Sequence, residues 1–266
     1  MANSPPPVRI LWVNPIGSPD YDQPMGEFMR GIKNADTQIN VVSFRAGGPQ
    51  HLEFRTYEAL VIGDIIRAAR DAATSGMDAM VIGCFYDPGI EAAREISGST
   101  VVVGPCQAAV QIAGNLANRF SVIVGQNKWI QQMTERVHTY GYGDRLASMQ
   151  PINIAVPDLQ ADCEFTARQI IEAGRRAIDE DGAEALILGC TCTFGLFEAV
   201  QKELKVPIID PINAALKMAE ALGGMKRQFD WAPSRVGSCL PPPEAEIESW
   251  GLLPAGAGIG NRYQVV

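Results

Sequence analysis

The chain has 266 residues, 47% of them hydrophobic, and a formal charge of −8 from 30 acidic and 22 basic side chains. That length suits one large or two modest domains with ordinary cores, and the acidic balance, with no basic stripe interleaved with aromatics, excludes a nucleic-acid surface. No apolar run reaches the roughly 20 residues that span a bilayer, six scattered cysteines suit free thiols rather than a disulfide framework, and two histidines are too few for a histidine-built metal centre.

The opening, Met1 to Pro7, is proline-rich and lacks the charged and apolar regions of a signal peptide, so the expected location is the cytoplasm. Val8–Val13 predicts a first buried strand, ended by the loop Asn14–Pro15–Ile16–Gly17–Ser18. A short helix from Met25 to Lys33 and a strand at Ile39–Phe44 follow, with Gly47–Gly48–Pro49 as the break. The next helix, Thr56 to Ser75, has amphipathic spacing, and Gly76 is its stop signal. A third strand ends at Gly83–Cys84; then come a helix from Gly89 to Ile96, a strand at Val101–Val103, and a helix opened by Gly104–Pro105–Cys106.

The later chain repeats the alternation. Strands are predicted at Phe120–Val124, Ile152–Val156, Ala185–Leu188 and Val206–Ile209, and helices over 128–140, 161–179, 194–202 and 212–221. From Met225 onward the pattern fades, and Trp231, Leu240, Trp250 and Leu252 predict an arm packed on the body or on a neighbouring subunit. Strands alternating with helices imply an α/β fold of parallel sheets flanked by helices.

The chain is also internally repeated. Ala79–Cys84 and Ala185–Cys190 are both apolar runs ending in Gly-Cys, 106 residues apart, and the strands that follow, from Thr100 and Val206, keep the same offset. Arg9–Val13 matches Arg119–Val124 at an offset of 110. The expectation is two pseudo-symmetric domains, residues 1–104 plus 213–266 and residues 105–212, with the active site in the cleft between them.

Each of these cysteines is read as standing at a strand end just before a helical segment, where open α/β sheets keep their chemistry. An unperturbed thiol, with a pKa of about 8.5, is mostly protonated near neutrality, and a helix amino end lowers that value. Cys84 and Cys190 are therefore the candidate catalytic pair, one a thiolate base and the other a thiol acid. The bland alternative is two buried apolar cysteines. Candidate substrate contacts are Asn14, Pro15, Ser18 and Phe44 in the first domain, Phe85 and Tyr86 after the first thiol, Gln126, and Thr191 and Cys192 after the second.

With these motifs in order, Asn14–Pro15, Gly48–Pro49, Gly83–Cys84–Phe85–Tyr86–Asp87–Pro88–Gly89, Leu188–Gly189–Cys190–Thr191 and Pro207–Ile208–Ile209–Asp210–Pro211, the sequence resembles the aspartate/glutamate racemase superfamily and its hydantoin and allantoin racemase branch over about residues 8–225. The resemblance implies a two-base racemase of a 5-substituted hydantoin or allantoin-like ring, with no cofactor and no metal, acting on a small molecule as a homo-oligomer. It departs from the branch at Ile16, at Cys106, where an acidic residue near Gly104 is usual, and at Thr193. Two other readings compete: a two-cysteine lyase or cis-trans isomerase similar to maleate isomerase, and a two-lobed binding protein without chemistry.

Overall fold

The computed structural model describes residues 7–254 and 258–265. Most of the proline-rich opening and part of the Gly/Ala-rich end lie outside the described residues. In chain order the elements are β1 (Arg9–Asn14), α1 (Asp22–Ile32), β2 (Gln38–Phe44), α2 (Arg55–Thr74), β3 (Ala79–Ile82), α3 (Ile90–Ile96), β4 (Val101–Val103), α4 (Pro105–Leu116), β5 (Phe120–Val124), α5 (Ile130–Thr139), β6 (Leu146–Pro151), α6 (Cys163–Asp179), β7 (Ala185–Leu188), α7 (Phe197–Leu204), β8 (Ile208–Ile209), α8 (Pro211–Phe229), α9 (Glu244–Trp250) and β9 (Ile259–Val265).

The chain forms two units. The first comprises the residues through Gly83, Pro88–Val103 and everything from Leu216 onward; the second comprises Cys84–Asp87 and Gly104–Ala215. In the first unit the sheet order is β4-β3-β1-β2-β9, and in the second it is β6-β5-β7-β8. Apart from β9 the two orders are the same once β1 to β4 are matched with β5 to β8, and every pair among those eight strands is parallel. The repeat read from the sequence is thus a repeat of topology. Strands β3 and β7 are buried at every residue, as expected for parallel strands covered on both faces.

Local chemistry sets the helix ends, and Gly76 is the stop read from the sequence. α2 ends in a Schellman motif: Met77 N–H donates to the Ala72 carbonyl and Gly76 N–H to the Ala73 carbonyl, with Gly76 at φ 65°. Asp162 caps α6 by accepting from the Phe165 amide at 2.9 Å.

The second strand of the later half is displaced from its predicted place. It is Leu146–Pro151, and Ile152–Val156 is not a strand. β6 is an edge strand, half-buried along its whole length, so it carries little hydropathy signal. The apolar Ile152 and Ile154 are buried because their amides continue along β5, onto the carbonyls of Val124 and Gly125.

The region after Met225 is also more ordered than its pattern suggests. α8 runs on to Phe229, where Arg227 and Lys226 pair with the buried Asp78. The chain then makes α9 and returns as β9, antiparallel on the free edge of β2. Arg235 donates to the carbonyls of Arg94, Glu95 and Gly98 at the end of α3. The four apolar residues expected to anchor this arm, Trp231, Leu240, Trp250 and Leu252, are exposed on the chain. No described helix is long and apolar enough to cross a membrane.

Candidate active site

Both Gly-Cys steps are built alike. Gly83 N–H donates to the Val13 carbonyl at 2.7 Å, and Gly189 N–H donates to the Ile123 carbonyl at 2.8 Å. A Cβ on either glycine would lie 2.8 Å from that same carbonyl oxygen, so each strand end passes its neighbour too closely for any side chain. This is why a glycine precedes each cysteine. Cys84 and Cys190 are outside any disulfide and of intermediate exposure, whereas Cys106 and Cys192 are buried.

The turns after the cysteines match as well. Asp87 N–H donates to the Cys84 carbonyl at 2.9 Å, and Thr193 N–H donates to the Cys190 carbonyl at 3.2 Å. The Thr193 hydroxyl adds a bond to that carbonyl at 2.6 Å. Cys190 stands directly before a helical segment, the 3-10 turn Thr191–Thr193, whereas Cys84 is followed by a non-helical turn; neither adjoins an α-helix. Residues 85–89 separate Cys84 from α3, and residues 191–196, the first three in a single 3-10 turn, separate Cys190 from α7. The segment Cys84–Asp87 clusters with the second unit, although the sequence reading places it in the first domain; its tie to α4, described below, is the physical reason.

The other predicted site residues fall into two groups. In the first unit, Asn14 is buried, with Oδ1 accepting from Trp12 Nε1 at 2.9 Å and Nδ2 donating to Asp22 at 2.8 Å. Pro15 and Phe44 are buried, and the Ser18 hydroxyl accepts from the Asp20 amide. Gly17 lies against the backbone of Gly48, so the loops after β1 and β2 touch main chain to main chain, which accounts for glycine at 17. In the second unit, Phe85 and Tyr86 are buried, with Tyr86 edge-on to Trp129 at 6.4 Å. Gln126 is half-buried and begins the 3-10 turn before α5; Thr191 is buried, and the Cys192 carbonyl accepts from Gln160 Nε2 at 2.8 Å.

Sequence reasoning assigned no role to Asp87 or Asp210, and both are buried carboxylates beside the cysteine turns and the Asp-Pro motif. Asp87 accepts from the amides of Cys106 at 3.0 Å and Gln107 at 2.9 Å and from the Tyr140 hydroxyl at 2.7 Å. Burial pushes its carboxyl up to about 6, against the lowering effect of Tyr140, the two amides and the Arg136 charge. Asp210 accepts from the amides of Ile212 and Asn213, and burial likewise pushes it up to about 6. Burial raises the Cys106 thiol well above its usual value, helped by the Asp87 charge. That thiol is kept neutral, unlike a nucleophile. Spacing alone held one clue: Asp87 and Asp210 each precede a proline.

Two like-ordered α/β units, each with a cysteine at the end of its third strand, set the frame, and comparison with known proteins places the chain among the racemases, a class of isomerase. The chain belongs to the Asp/Glu/Hydantoin racemase family, whose model matches residues 10–219. It is 37% identical to a hydantoin racemase of Rhizobium meliloti over 217 residues, 82% of this chain and 89% of that one. An allantoin racemase structure from Klebsiella pneumoniae superposes with a TM-score of 0.82 at 31% identity, covering 89% of this chain and 94% of that one. A glutamate racemase from Francisella tularensis, at 17% identity and a TM-score of 0.58 over 88% of this chain and 85% of that one, shares the fold.

Proposed function

We propose that the protein racemises a 5-substituted hydantoin or the related ring of allantoin, with Cys84 and Cys190 as its acid-base pair. The observation that carries this reading is the repeated Gly-Cys step at the ends of β3 and β7, which gives matched thiols from matched strands. The hydantoin and allantoin racemases to which the chain is similar support the choice of ring.

In this mechanism one sulfur, as thiolate, removes the proton from C5 of the ring. The electron pair of the C–H bond moves into the adjacent carbonyl, giving an enolate. The other sulfur, as thiol, returns a proton to the opposite face of C5. The two sulfurs end with exchanged protonation states, ready for the mirror-image substrate, and no group outside the two thiols is consumed. A binding protein would need no such pair.

Incubating one enantiomer of a 5-substituted hydantoin in heavy water should abolish optical rotation while deuterium enters at C5. Cys84→Ser and Cys190→Ser should each stop racemisation. Unchanged rotation across allantoin and alkyl and aryl hydantoins would remove the assignment, and a fully active serine variant would remove the two-thiol mechanism.

A further inference from the structure

Two helices of the same kind of origin begin 106 residues apart: α4 after Gly104–Pro105 and α8 after Asp210–Pro211. α8 is capped by its own leading residue, because Asp210 accepts from the amides of Ile212 at 2.8 Å and Asn213 at 3.1 Å. α4 has glycine at the matching place, yet the matching amides, those of Cys106 and Gln107, also end on a carboxylate, that of Asp87. A Cβ on Gly104 would lie 2.3 Å from the Asp87 carboxyl carbon, and its three nearest neighbours are all atoms of that group. Gly104 has φ −108° and ψ 137°, extended backbone open to any residue. Its glycine is therefore required by space alone: the Asp87 carboxylate occupies the room of the missing side chain.

In this half the capping carboxylate thus comes from the turn that carries the first thiol, whereas in the second half it comes from the helix's own leading residue, Asp210, which also meets the Gly195 amide. Asp87 lies three residues after Cys84 at φ 50°, a left-handed conformation that aspartate tolerates better than most residues. Its counterpart in the second half, Thr193, instead turns its hydroxyl back onto the Cys190 carbonyl. A cap alone did not need this arrangement, since a residue at 104 would have supplied one as residue 210 does.

We infer that Asp87 is a positioning residue for Cys84: through the Cys106 and Gln107 amides and the Tyr140 hydroxyl, it fixes the thiol-bearing turn to the start of α4 and the end of α5. The assignment rests on the reading of Cys84 as one of the acid-base pair. The charged and titratable groups around the carboxylate are Tyr140 and Arg136 at the end of α5, Cys106 on α4, and Cys84, which shares a turn with it and acts electrostatically on Cys106. Arg136 also lies over the Tyr140 ring, 5.8 Å from its centroid, so the hydroxyl that braces Asp87 is itself held.

The test separates bracing from capping by moving the carboxylate back. Asp87→Ala, Gly104→Asp and the double variant are compared with the parent by thermal midpoint and by the pH profile of iodoacetamide alkylation at Cys84 and Cys190, read by peptide mass spectrometry without substrate. Asp87→Ala should lower the midpoint and change the Cys84 rate at least threefold, with Cys190 unchanged. Gly104→Asp alone should lower the midpoint, because two carboxyl groups then compete for one space. The double variant should regain most of the midpoint while Cys84 stays altered and, with a working substrate, kcat falls at near-parental KM.

A native Cys84 profile in Asp87→Ala, or one restored together with the midpoint in the double variant, would reduce Asp87 to a helix cap and overturn the inference. If Asp87→Ala does not fold, Tyr140→Phe decides the matter. It removes one of the three bonds and should shift the Cys84 rate in the same direction by a smaller factor; no shift would overturn the inference. Because alkylation uses no ring substrate, absent racemisation would sink the proposed function and leave this result standing.

Discussion

Gly189→Ala puts the close approach at the Gly-Cys step to a quantitative test. The added Cβ would sit 2.8 Å from the Ile123 carbonyl oxygen, 3.0 Å from a Val122 methyl and 3.3 Å from a Val124 methyl. The oxygen cannot rotate away, because it belongs to the central strand β5 and accepts the Gly189 N–H itself. Overpacking of this kind costs about 1–3 kcal/mol, and weakening the shared hydrogen bond adds about 1 kcal/mol. At roughly 2–4 °C per kcal/mol for a chain of this size, the midpoint should fall by roughly 4–16 °C in a thermal scan. Gly224→Ala is the control: it lies within α8 with nothing within 4 Å, so the same substitution should raise the midpoint by about 2 °C through better helix propensity. A fall at Gly189 of less than about 2 °C, or equal effects at the two sites, would show that the strand end has slack and that glycine is not needed there.

Asp210 should leave a pH signature. Its carboxyl is raised by burial to about 6, so the native state holds a proton that the unfolded chain, near its ordinary 3.8, has lost. The stabilisation is complete below the unfolded value and is lost as pH rises through about 6. Relative to Asp210→Asn, the parent should therefore gain about 1 kcal/mol in urea unfolding between pH 7 and pH 5; a constant difference would contradict the burial argument. In the first unit, Asn261 of β9 donates to the buried Asp22 at 2.7 Å beside Asn14 and Ser43. Asn261→Ala should cost about 1–3 kcal/mol by urea unfolding, and an unchanged urea midpoint would mean that solvent replaces the lost donor.

The parts of this molecule that were legible in the sequence are those governed by local chemistry. Gly83–Cys84 and Gly189–Cys190 could be matched because apolar strand runs and glycine stops are both short-range signals, and Gly76 could be read as a helix stop for the same reason. β6 was misplaced because an edge strand half open to solvent has no apolar run, while Ile152 and Ile154 imitate one from inside a loop. β9 was missed because its pairing partner lies in β2, and nothing within its own residues, mostly exposed or half-exposed, announces a strand. Asp87 stood in plain view within the motif after Cys84, but its purpose depends on an empty space at Gly104 that only three dimensions reveal. How far each thiol stands from the helix that follows it depends on turn geometry, which hydropathy does not encode.

The antiparallel strand that closes the first sheet has a consequence for biosynthesis. Val265 pairs with Ile39 across 226 residues, whereas the last strand of the second sheet is finished at Ile209. The second unit thus has all its strands 56 residues earlier, which at a typical elongation rate of about 5–20 residues per second is a wait of roughly 3–11 s. During that interval the nascent chain carries β2 with an unpaired edge, the part of a sheet most prone to pair with a stranger. Stalling translation between residues 209 and 259 should therefore yield a chain that needs chaperone protection, while release of the final strand removes the need.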